Sequence, residues 1–140
     1  MQEIYSKIKP EKVLHLIQRN DNKIEGRKCL IDPGEFLQIA FCGGLPVGHT
    51  FSGPHRHLDQ ERTINKTQES WVIINGSVEV TMYDLDDKII EKATLYPGDC
   101  YMYFDGGHGF KLLEENTKFY EFKNGPYNGR SNDKVKIGSD

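Results

Sequence analysis

His55 and His57 flank Arg56. In an extended strand alternate side chains point the same way, so both imidazoles project to one face and Arg56 to the other. Two neutral imidazoles on one face are how a strand presents two ligands to a divalent metal ion. Glu69 follows at the head of the apolar run Trp71-Val72-Ile73-Ile74. A third histidine, His108, lies in Phe104-Asp105-Gly106-Gly107-His108-Gly109-Phe110, beyond a Pro97-Gly98-Asp99 turn. Acid-base work has few candidates: Glu69, Tyr103 and Tyr101. His15 and His49 read as structural or solvent-exposed and are not assigned a role.

The elements that must position these residues are short. From Lys28 onward Gly, Pro, Asn and Asp recur every few residues, with β-rich runs between them at 28–31, 36–42, 50–57, 69–74, 78–83, 89–95, 100–104, 110–113 and 118–123. Asn75-Gly76 predicts a two-residue hairpin between the fourth and fifth of these runs, because both turn positions favour residues that tolerate positive φ. Asp86-Asp87-Lys88 and Pro97-Gly98-Asp99 mark two further turns. If Glu69 faces the interior, alternation puts Trp71 and Ile73 there too, with Val78, Val80 and Met82 opposite. Segment 11–20, after Pro10, carries a helix-like spacing of Val13, Leu14 and Ile17; a strand reading of Val13–Ile17 competes. Residues 58–66 read as a polar loop and 124–140 as an irregular tail. The expectation is an all-β barrel or sandwich with a short N-terminal helical or irregular segment, about 35 to 50% strand and under about 15% helix.

Composition narrows the partners. One hundred and forty residues suit one domain with a real core. Eighteen basic and 21 acidic residues, scattered, leave a net charge of −3 and no basic stripe, so nucleic acid is excluded. There is no apolar run of membrane-spanning length and no signal-like N-terminus, which predicts a soluble, cytoplasmic protein without membrane partners. Cys29, Cys42 and Cys100 are an odd number without CxxC spacing, which argues against a disulfide framework and for a reducing compartment.

His55-x-His57, then Glu69-x6-Gly76, then Pro97-Gly98-Asp99 leading to His108 resembles the two-part signature of the cupin superfamily, over roughly Gly48 to Phe110. The resemblance implies a double-stranded β-helix (cupin or jelly-roll barrel), a single domain with its core at about 28–123. It also implies His55, His57, Glu69 and His108 as ligands of one divalent ion. Eleven residues separate His57 from Glu69, more than the family's spacing, so a loop is inserted there; Gln68 and Glu61 stand as substitutes for Glu69. Glu61-Arg62-Thr63-Ile64, Thr67-Gln68-Glu69 and Gly125-Pro126-Tyr127-x-Gly129 before Asp133-Lys134 are similar to small single-domain cupins linked with surface-polysaccharide biosynthesis. A homodimer is implied by the same likeness.

Three imidazoles and a carboxylate suit zinc, manganese, iron or nickel. The expected function is a metal-binding cupin acting on, or binding, a small polar metabolite: a sugar, sugar nucleotide or sugar acid. Lewis-acid isomerisation, epimerisation or hydrolysis is the first reading, with Glu69 and Tyr103 as catalytic groups. An Fe(II)-dependent dioxygenase and a non-catalytic ligand-binding cupin are the alternatives. Phe51, Arg62, Gln68, Trp71 and Phe110 are the expected substrate-binding residues, the aromatics as walls and Arg62 as a grip for an anion.

Overall fold

The chain is nearly all β: 40% of the described residues are in strands and 3% in helix. The structure is a computed structural model and describes residues 1–20, 23–51 and 53–138. Among the described residues ten strands precede one helical turn: β1 (Gln2–Tyr5), β2 (Val13–Gln18), β3 (Gly26–Cys29), β4 (Ala40–Gly43), β5 (Glu69–Asn75), β6 (Val78–Tyr83), β7 (Ile89–Leu95), β8 (Cys100–Tyr103), β9 (Gly107–Leu112), β10 (Lys118–Lys123) and α1 (Arg130–Asp133). No described helix is long and apolar enough to cross a membrane.

The chain divides into two compact units, Met1–Asn20 with Lys66–Asp140, and Asp21–Asn65. The larger unit holds a five-stranded antiparallel sheet in the order β1-β2-β8-β5-β10 and a three-stranded one in the order β7-β6-β9. Both sheets feed one core: Ile4, Ile17, Trp71, Ile73 and Tyr101 from the first, Val78, Val80, Met82 and Leu95 from the second. From β7 onward each connection crosses from one sheet to the other. The smaller unit is built on the two-stranded ribbon β3–β4.

The N-terminal segment departs from the helical or irregular expectation. Gln2–Tyr5 and Val13–Gln18 form an antiparallel pair. Pro10 sits in their connection, which is closed by the Lys12 amide on the Lys9 carbonyl, and not at a helix start. The apparent 3.6 periodicity arose because Leu14, His15, Leu16 and Ile17 are all buried: β2 lies between two neighbours with both faces covered, so its apolar residues run without alternation.

Asn75-Gly76 is not a hairpin turn. β5 pairs with β8 and β10, and β6 with β7 and β9, so the dipeptide is a corner between sheets. Only Gly76 of the two has positive φ, and a Cβ there would collide with the Thr117 hydroxyl. The inward set is nonetheless as alternation requires, with Trp71, Ile73, Val78, Val80 and Met82 all at 2% exposure or less. The Asp86-Asp87-Lys88 turn forms between β6 and β7, with Asp87 at φ 63°. Pro97-Gly98-Asp99 forms too: Asp99 takes the Arg19 guanidinium at 2.6 Å and the Asn20 amide at 2.8 Å, while the Gly98 amide reaches the Ile73 carbonyl. The strand expected at 50–57 is absent among the described residues; Ser52 lies outside them.

Candidate functional site

Within the larger unit, β5, β8 and β9 bring Glu69, Trp71, Tyr101, Tyr103, His108 and Phe110 together. β5 and β8 are paired so that Glu69 faces Tyr103 and Trp71 faces Tyr101. His108 comes from β9 in the opposite sheet, opposite Met82. Its ring stacks on Tyr103, with centroids 4.4 Å apart, and on Trp71 at 5.0 Å.

The hydrogen bonds assign the protons. His15 Nε2 lies 3.2 Å from the Tyr83 carbonyl, which can only accept, so Nε2 carries the proton. The ring is fully buried and burial lowers its pKa to about 4, so it is neutral and Nδ1 is a bare acceptor. The Tyr101 hydroxyl, 2.9 Å away, donates to it. Tyr101 then offers only lone pairs to His108 Nδ1 at 3.4 Å, so His108 carries its proton on Nδ1. Its Nε2 lone pair stands 3.8 Å from Glu69 Oε1. Burial, with His15 and Lys134 nearby disfavouring a further positive charge, lowers the His108 pKa to about 3.

Glu69 is 3% exposed, and burial raises its pKa; the Trp71 indole N–H, donating to Oε1 at 2.6 Å, opposes that shift. Trp71 is itself 1% exposed, enclosed by the rings of His108, Tyr101, Phe110 and Phe119, so its polar contact is with Glu69. Phe110 is half exposed at the rim, edge-on to Trp71. The Tyr103 hydroxyl donates to the Gly106 carbonyl at 3.0 Å, and burial pushes its pKa to about 12, so it holds its proton at neutral pH. Gln68 is buried, its backbone amide on the Asn124 side chain at 2.9 Å.

In the smaller unit His55 and His57 adjoin, their rings 5.3 Å apart and nearly perpendicular. They do so from a non-strand segment. His55 Nδ1 lies 3.0 Å from the Gly53 carbonyl, which can only accept, so Nδ1 donates to it. Phe51 packs edge-on against His49, and Arg62 is exposed.

Donor chemistry can be tested pair by pair. Metal bonds of about 2.0–2.2 Å place two donors on one ion about 3 to 4 Å apart. The Glu69–His108 separation of 3.8 Å falls in that range, with one carboxyl oxygen and one unprotonated nitrogen. His55 and His57 offer two more imidazoles in mutual contact. Among the described residues no three His, Cys, Asp or Glu side chains are grouped so as to hold a metal ion.

His15 and Tyr83 were not foreseen as part of this arrangement. The available signal was one imidazole inside the apolar run Val13–Ile17, where a buried polar ring must find partners. Compared with known protein families, curated proteins and solved structures, the chain matches none.

Proposed function

We propose that the chain is a metal-binding cupin in which the Glu69–His108 pair supplies ligands to one divalent ion, and that it acts on a sugar, sugar nucleotide or sugar acid. The observation that carries this reading is the Glu69–His108 pair, in which each donor has a second group controlling it. Tyr101 keeps the proton on the far nitrogen of His108, and Trp71 orients the Glu69 carboxylate. Such outer partners are what a metal-binding histidine and carboxylate need to present lone pairs in fixed directions.

A bound ion supplies Lewis acidity toward a keto or hydroxy oxygen of the metabolite. The chain's own residues do the rest. Phe110, at the rim, receives the apolar face of a sugar ring. Tyr103, which keeps its proton at neutral pH, is an acid and not a base, its hydroxyl parked on the Gly106 carbonyl.

The test is elemental analysis of the full chain purified without chelator. One ion of zinc, manganese, iron or nickel per chain is expected. Glu69→Gln, which removes the anionic ligand, weakens retention by about tenfold, while Gln68→Ala leaves it in place. Protein that takes up no metal, or that loses it with Gln68→Ala and keeps it with Glu69→Gln, sinks the reading. Bound iron with oxygen uptake would redirect the chemistry to dioxygen activation.

A further inference from the structure

The C-terminal tail runs across the Glu69–His108 pair. At one end Asp133 accepts from the Thr67 hydroxyl at 2.8 Å and lies 3.6 Å from Lys123 Nζ. Thr67 is two residues before Glu69, and Lys123 is the ladder partner of Glu69, so this anchor stands beside the carboxylate. At the other end Ile137 occupies the space that a Cβ on Gly107 would fill, and Gly107 is the residue before His108. Between the anchors is Lys134, exposed, its backbone amide closing the helical turn on the Arg130 carbonyl at 2.9 Å.

Lys123 is already committed, held by Asp133 and Glu121 and lying 4.2 Å over the Tyr127 ring. Lys134 makes no ion pair among the described residues, and it follows Asp133 directly in the strap, whose Thr67 contact stands beside Glu69. Glu69 itself is sealed at 3% exposure. An exposed ammonium group on a strap anchored beside both members of a buried pair is placed to meet an anion arriving from solvent.

We propose that Lys134, carried across the Glu69–His108 pair by the strap from Arg130 to Ile137, binds the anionic group, carboxylate or phosphate, of the ligand. The presence of a ligand at that pair rests on the function proposed above; the role of Lys134 as its oxyanion contact does not require a metal.

The experiment is calorimetric titration of the full chain with D-glucuronate and with inorganic phosphate, and with D-glucose as the uncharged control. Wild type binds at least one oxyanion more tightly than glucose. Lys134→Ala weakens that binding by about tenfold, leaves glucose unchanged, and is largely rescued by Lys134→Arg. Equal oxyanion affinity in wild type and Lys134→Ala, or no oxyanion binding at all, overturns the proposal. Gly107→Val, which evicts Ile137, is expected to reproduce the loss and to speed tryptic cleavage after Lys134; unchanged cleavage and affinity would show that the strap does not cross there. If that variant does not fold, Lys134→Ala decides alone. Metal content of each sample separates the two readings. Metal-free protein that binds an oxyanion through Lys134 ends the metal assignment only, whereas metal-loaded protein indifferent to Lys134 ends this one only.

Discussion

His15 shows how much one buried ring can control. Burial holds its pKa at about 4 against an ordinary 6.5, the Tyr83 carbonyl pulling weakly the other way. The unfolded chain takes up that proton near pH 6.5 and the folded chain only near 4, so protons favour unfolding across this interval. Stability contributed by the neutral ring is complete above 6.5, falls by about 3 kcal/mol toward pH 4 and levels off below. His108, held at about 3, adds a loss of the same sign. His15→Gln, which keeps a donor and an acceptor without a proton to gain, should flatten part of the slope. Urea unfolding at pH 7 and pH 4.5 measures it, and an acid loss equal to wild type would show that His15 is not the group responsible. The sequence pointed to Glu69, Tyr103 and His108 as residues of interest because their types carry chemistry. It did not point to His15, because a histidine's partners come from β6 and β8, remote along the chain.

Elements are tied together by acidic side chains more than by their turns. Asp84, at the end of β6, is 2% exposed and accepts from the Ser6 hydroxyl at 2.5 Å, the Lys7 amide at 2.6 Å and the Leu85 amide at 2.8 Å. It fastens the β1–β2 connection to the β6–β7 turn. Asp84→Ala would leave these donors without an acceptor, which costs about 3 kcal/mol; a shift of the urea midpoint with unchanged slope is the expected result, and a variant as stable as wild type would show that water replaces the carboxylate. Asp105 does similar work between Lys12 and Lys66. Local rules read well where an element is closed by its own neighbours. β6 and β7, which pair with each other across their own turn, have the bounds that β-rich runs at 78–83 and 89–95 define. They fail where a distant strand competes: Asn75-Gly76 has hairpin chemistry, yet both edges of β5 are taken by β8 and β10.

At the scale of the molecule, the larger unit has two sheets on one core, whereas the smaller has a ribbon of two four-residue strands whose β3 residues are mostly exposed. A two-stranded ribbon is by itself marginal in water. Amide hydrogen exchange should therefore be slowest in β2, β8 and β5, the middle of the five-stranded sheet, and faster by orders of magnitude in β3 and β4. Equal protection in both would mean that the ribbon unfolds only with the whole chain. The all-β class was legible because from Lys28 onward Gly, Pro, Asn and Asp recur every few residues, with β-rich runs between them. The pairing order was not, since β8 lies between β2 and β5 while their sequence separations are long, and only packing decides such neighbours.

Over the whole chain there is one tryptophan, and it is Trp71. Its indole N–H is bound to Glu69 and its ring stacks on His108. The protein thus carries a single indole built into its candidate metal pair, and when excited beyond the absorption of its seven tyrosines it reads that one place. Any change in the charge on Glu69 or in the electron demand on His108 reaches the indole directly, so the colour and brightness of the emitted light give occupancy without a label.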